Sequence, residues 1–152
     1  MNNLYEPVVA HRFLATFFID FLPSPVDVRF QRISGLNRKM EVTPYREGGN
    51  NVGSVNFPER VTHGNLVLER GVMTATPLTL AFQEALHSFR SHYMTAIVML
   101  LNQNNLPVCS WTFTNALPVD WRTGDLDANS SNVLINTLEL AYSRMHWLGV
   151  AA

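Results

Sequence analysis

Residues 111–121 read Trp-Thr-Phe-Thr-Asn-Ala-Leu-Pro-Val-Asp-Trp, and residues 131–142 read Ser-Asn-Val-Leu-Ile-Asn-Thr-Leu-Glu-Leu-Ala-Tyr. Trp111 and Phe113 alternate with Thr112 and Thr114, the period of two of a half-buried strand. Pro118 has no N–H for a ladder, so the strand must bend or meet a sheet edge there. In the second segment Leu134, Leu138, Leu140 and Tyr142 share one face, which Asn136 interrupts. Thr137, Glu139, Ala141 and Ser143 form the wetter face. The block contains no catalytic group and reads as scaffold, with Arg144 to Leu148 extending its last strand.

Working outward, Met94 to Leu101 is a nearly continuous apolar run, as in a buried strand. Asn102 to Asn105 is a turn that returns Leu106 to Phe113 beside it as a hairpin. Upstream lies the one helix. Thr76 is a good N-cap, Pro77 fits the first helical position, and Leu78, Phe82, Ala85, Leu86 and Phe89 recur at helical spacing. The stripe ends around Arg90 to His92 and reads as packing against a sheet. Asn65 to Val72 alternates cleanly, with Leu66, Leu68 and Val72 inward. Arg70 breaks that inner face, and the expectation there is a rim residue whose charge snorkels to water.

At the start, His11 to Phe21 places Phe13, Ala15, Phe17, Ile19 and Phe21 on one face of a strand. Pro23-Ser24-Pro25 turns the chain, and Val26 to Ser34 reads as a second strand forming a hairpin with the first. Gly35 breaks the pattern, and Lys39 to Tyr45 is extended again. Residues 46–64 are polar, glycine-rich and poorly periodic, which predicts a long loop. Residues 1–10 read as a loose N-terminal arm. The sum is a single domain over 1–152, mainly β, with about seven or eight strands and one helix. Hairpin links argue for an antiparallel β-barrel or sandwich with the helix packed on it. The expected core is Phe13, Phe17, Leu66, Leu68, Phe82, Leu86, Trp111, Phe113, Leu138 and Leu140.

Composition narrows the function. Of 152 residues 15% are charged, below the usual quarter, which suggests surface covered by partner subunits. The net charge of −1 gives no field for nucleic acid. Cys109 alone excludes an internal disulfide and a cysteine-only metal site. No basic export signal begins the chain and no apolar run is long enough to span a bilayer, so the expectation is synthesis and folding in a cytoplasm without membrane insertion.

Searches for chemistry end without a motif. His87 and His92 are five apart and miss the helical zinc spacing. Asp120, Asp125 and Asp127 lack the EF-hand pattern. No Gly-x-Ser-x-Gly elbow occurs, and no Gly-Lys-Ser or Gly-Lys-Thr follows the glycines of 46–54. The expectation is therefore no enzyme, no cofactor and no metal. The other reading that barrels of this size permit is a small ligand-binding protein or enzyme with a pocket in the barrel mouth. A core filled by Phe13, Phe17, Phe82 and Trp111 would count against it.

An ordered set of landmarks carries a resemblance. Arg12-Phe13 opens a strand, and Phe30 with Ile33-Ser34-Gly35-Leu36 follows. Then come Tyr45-Arg46-Glu47-Gly48-Gly49-Asn50 and Leu66-Val67-Leu68-Glu69-Arg70-Gly71-Val72. Trp111-Thr112-Phe113, Asn115-Ala116-Leu117-Pro118 and Asn132 to Tyr142 complete it. The whole resembles the tail-tube proteins of contractile phage tails and extracellular contractile injection systems, and is similar in fold to the type VI secretion tube protein. The resemblance implies a homo-hexameric ring, rings stacked into an inner tube, and a surrounding sheath. It implies spike and baseplate partners and room for effector cargo in the lumen, within a virion-like or extracellular particle. By general similarity the chain lies nearer the tube-initiator branch, which joins spike and baseplate to the tube, than the bulk inner-tube subunit. The resemblance also implies that the loop of Arg46, Glu47, Gly48, Gly49, Asn50 and Asn51 contacts a neighbouring subunit.

Overall fold

A computed structural model describes residues 11–20, 22–24, 29–49, 52–71 and 75–149. The expected loose arm at 1–10, and Phe21, Val26, Asn50, Asn51 and Val72 of the expectations above, lie outside the described residues. In chain order the elements are β1 (Phe13–Ile19), β2 (Leu22–Pro23), β3 (Arg32–Ser34), β4 (Lys39–Tyr45), β5 (Val55–Thr62) and β6 (Leu66–Arg70). The helix α1 (Pro77–Ser88) follows, then β7 (Met94–Leu101), β8 (Pro107–Thr123), β9 (Asn136–Ala141) and β10 (Arg144–Gly149). All pairings are antiparallel.

β8 is the axis of the fold. Its first half lies between β7, with Ala96 opposite Phe113, and β10, with Arg144 opposite Thr114. Its second half pairs with β9, from Leu117 opposite Ala141 to Thr123 opposite Asn136. Between the halves Asn115 adopts φ 53, a left-handed conformation that asparagine tolerates better than most residues. The register shifts again between Pro118 and Asp120. These irregularities let one 17-residue strand serve two wings. One wing runs β2-β1-β7-β8, and the other β8-β9-β6-β3. Pro118 thus marks a bend, one of the two outcomes the sequence allowed. β10 continues along β8 after the short break at Tyr142 and Ser143, as an extension of the last strand requires.

The wings face one another across a common core. Phe17, Leu66, Leu68, Phe82, Phe113, Leu138 and Leu140 are fully buried in it, and Phe13 and Trp111 pack against it half-buried. Helix α1 covers β8 and β1. Its capping box uses Thr76 and Thr79: the Thr79 N–H donates to Thr76 Oγ1 at 3.3 Å, and the Thr76 N–H to Thr79 Oγ1 at 2.8 Å. Asn136, which interrupts the apolar face of β9, is buried and accepts from the Thr123 hydroxyl at 2.9 Å. That bond offsets the cost of burying the amide.

Three expectations need correction. Leu86 is not core but 45% exposed, because every residue of α1 after Ala85 runs clear of the sheet. β3 does not form a hairpin with β1; Ile33 lies opposite Leu68 of β6. β1 has one edge fully taken by β7, and the link to the 29–34 segment is side-chain packing, with Phe17 and Phe30 edge-to-face at 5.8 Å. Arg70 is buried rather than at the rim. Its guanidinium lies 5.6 Å from the Phe30 ring centroid, and its Nη2 donates to Thr76 Oγ1 at 3.4 Å, tying β6 to the helix cap.

Candidate assembly interface

Between β3 and β6 the chain leaves the core. Among the described residues β4 and β5 pair only with each other, from Lys39 opposite Thr62 to Tyr45 opposite Val55. They form a two-stranded arm, so the loop expected over 46–64 is in fact a nine-residue tip, 46–54, followed by a strand and a short return. The strand is disguised in the sequence because Pro58, Glu59 and Arg60 interrupt its apolar positions next to a glycine-rich tip, and its register slips beside Glu59, between Glu41 and Val42 of β4. One extra residue moves the later positions from one face to the other, so Val61 lies on the face opposite to Val55 and Phe57 although all three share one phase in the sequence.

The register assigns the two faces. Met40, Val42, Pro44, Pro58 and Val61 share one. Glu41, Thr43, Tyr45, Val55, Phe57 and Arg60 share the other. Met40, Val42, Tyr45, Val55, Phe57 and Val61 are each 45% to 55% exposed. Some cohesion is internal: Tyr45 and Phe57 meet edge-to-face at 5.9 Å, Arg60 Nε lies 2.5 Å from Glu41 Oε2, and the Thr43 hydroxyl donates to Glu59. A lone hairpin is marginal in water, and large apolar side chains bare on both its faces mark a surface that another chain covers.

The arm's root is fixed. Gly35 has φ +90, and a Cβ there would sit 2.0 Å from the Asn65 carbonyl oxygen. Both objections fall on the backbone, so Gly35→Ala should cost about 1–3 kcal/mol and lower the melting temperature of the whole domain; an unchanged melt would contradict this. Arg38 Nη1 donates to the Met145 carbonyl at 2.9 Å. The His63 ring stacks on Tyr142 at 4.0 Å, and Tyr142 meets Phe113 edge-to-face at 4.8 Å. Burial raises the Tyr142 pKa, with the Arg38 charge acting in the opposite sense.

Of the residues assigned to subunit contact, Arg46, Glu47, Gly48 and Gly49 lie exposed at the tip, and Gly49 uses φ +95 to turn it. The faces of β4 and β5 were not among the assigned contacts. Their signal was the alternation of Met40, Val42 and Pro44, read only as a strand. Three further strands have a single neighbour among the described residues: β10 at β8, β3 at β6 and the two-residue β2 at β1. Trp147 and Leu148 of β10 are exposed. Such edges are templates for pairing with another chain.

Among the described residues no three His, Cys, Asp or Glu side chains gather closely enough to hold a metal. No helix among them is long and apolar enough to cross a membrane. The interior is filled by Phe17, Phe82 and Phe113, with Phe13 and Trp111 against them, which counts against a ligand carrier.

A model of the T4-like virus tail tube protein gp19 family matches residues 9–146. Three solved structures are similar over nearly the whole chain. A chain of the six-fold symmetrised baseplate of the anti-feeding prophage is 52% identical, with TM-score 0.89, over 98% of this chain and 100% of that one. A chain of the sheath-tube complex of the extracellular contractile injection system PVC, in its extended state, is 19% identical. Its TM-score is 0.79, over 97% of this chain and 95% of that one. A type six secretion system protein is 10% identical with TM-score 0.54, over 90% of this chain and 83% of that one. The last two likenesses are of fold. No curated protein matches the chain by sequence.

Proposed function

The chain belongs to the tail tube protein family of T4-like viruses, and from that premise we propose that it forms a hexameric ring at the baseplate end of an inner tube. In this role it is the tube initiator of a contractile injection particle: one face of the ring meets spike and baseplate proteins, and the other carries the first stacked tube ring, inside the sheath. The observation that carries the ring is the arm, whose two apolar faces lie outside the chain's own core. An arm that leaves its own body and lands on the next copy closes a ring by rotation, and closure also covers the open edges of β3 and β10. The conduit itself does no chemistry; its lumen admits cargo. Placement at the baseplate is supported by the contrast between 52% identity to a baseplate chain and 19% to a sheath-tube chain.

Counting copies tests the placement. Quantitative mass spectrometry of particles assembled with this protein should give a single ring, six copies per particle, as the six-fold baseplate relative suggests. Copies in proportion to tube length would replace the initiator by the bulk subunit. Particles wholly lacking the chain would defeat both.

A further inference from the structure

Several exposed titratable side chains find partners within the chain. Arg60 pairs with Glu41 at 2.5 Å, His92 with Asp20 at 3.6 Å, and Arg122 with Asp120 at 2.9 Å and Glu139 at 3.5 Å. The arm's root departs from that pattern. There Asn37, Arg38, Lys39, Thr62, His63 and Gly64 line an open cleft of about 210 Å³. It holds two permanent cations and an imidazole, and among the described residues no carboxylate lies within ion-pair distance of Arg38, Lys39 or His63. The Arg38 fork is oriented by its bond to the Met145 carbonyl, and the His63 ring by its stack on Tyr142. Tyr142 itself is buried behind the His63 ring and serves as its platform. A positioned guanidinium beside an ammonium is a donor set for a carboxylate.

The arm's tip offers the complement. Glu47 is exposed there, and no cation among the described residues pairs with it. It cannot serve its own root, because the seven residues of β4 separate the two by roughly 23 Å at ~3.3 Å per residue. A body of 152 residues has a radius of gyration of about 15 Å, so it is roughly 38 Å across. The arm, the two residues from Tyr45 to Glu47 and two extended side chains together cover a spacing of that order. In a head-to-tail ring the tip of each copy meets a different site on the next.

We propose that the root cleft takes the Glu47 carboxylate of a neighbouring copy through Arg38 and Lys39, so that the tip of each arm locks against the base of the next. The pairing rests on the ring reading above, and it makes a specific charge match the determinant of arm placement. Lys39 and Glu47 are exposed and outside the core, so reversing either leaves the fold intact.

The test compares the unaltered chain with Lys39→Glu, Glu47→Lys and the doubly exchanged variant. Circular dichroism monitors folding; sedimentation velocity and electron microscopy monitor rings. Each single reversal should melt as the parent does and need about ten-fold more protein to form rings. The double exchange should recover most of that loss. Single variants that assemble like the parent overturn the pairing. So does a double variant no better than the worse single, since the cleft and Glu47 then act on different partners. In either case parent rings leave the ring reading standing, whereas a parent that never assembles defeats both.

Discussion

Replacing residues 39–62 with a short Gly-Ser linker should leave a folded, cooperatively melting body that forms no rings. The geometry favours a clean excision. Lys39 and Thr62 lie opposite each other in the arm's ladder, so the cut ends are only about 5 Å apart and a few residues close the gap. No residue of β4 or β5 belongs to the core, and the two strands pair with nothing else among the described residues. What disappears is the surface that the body does not use: six large apolar side chains about half exposed, and the tip. Circular dichroism and a thermal melt report on the body; electron microscopy reports on rings. Loss of the cooperative melt would mean that the arm belongs to the folding unit. Rings of normal size would mean that assembly runs through other surfaces.

Leu68→Asp should do the reverse and abolish the fold. Leu68 is fully buried on β6, between Ile33 of β3 and Leu138 of β9. Truncating such a residue to alanine costs about 2–5 kcal/mol. The aspartate adds the cost of placing an unpartnered carboxyl in an apolar layer, several kcal/mol more even if it binds a proton. Against a total stability of about 5–15 kcal/mol the sum leaves little folded protein. An NMR spectrum with collapsed amide dispersion is the expected readout. A dispersed spectrum and a cooperative melt near that of the parent would contradict the assignment of β6 to the core. Together the two variants separate what folds the chain from what joins it to others.

The core was legible because its elements keep one period from end to end. β1, β6 and β9 alternate, and β7 is apolar but for Thr95. Leu78, Phe82 and Ala85 keep the helical spacing, and burial follows those patterns. The pattern failed where a period was broken or a partner was remote. Pro58, Glu59 and Arg60, beside a glycine-rich polar stretch, broke up the arm's apolar positions, so a strand read as a loop. Pairing of β3 with β6 instead of β1 depends on which edges are already occupied, and edge occupancy has no sequence signature. Leu86 fits the helical stripe, yet only the sheet's extent decides how far along the helix burial runs. Arg70 shows the same limit in reverse: its inward position was plain, but the Phe30 ring and Thr76 hydroxyl that receive it come from distant segments. The assignment of subunit contacts to the tip came from resemblance. The arm's faces and the cationic root emerged only once β4 and β5 were seen to stand apart from the core.

The most direct measurement is a cryo-EM map of particles containing this chain, at a resolution that traces the arm. The expected map shows a single six-fold ring at the baseplate end, with each β4-β5 hairpin lying on the adjacent copy and Met40, Val42 and Val61 covered there. A solitary subunit, or one whose hairpin folds back onto its own body, would contradict it.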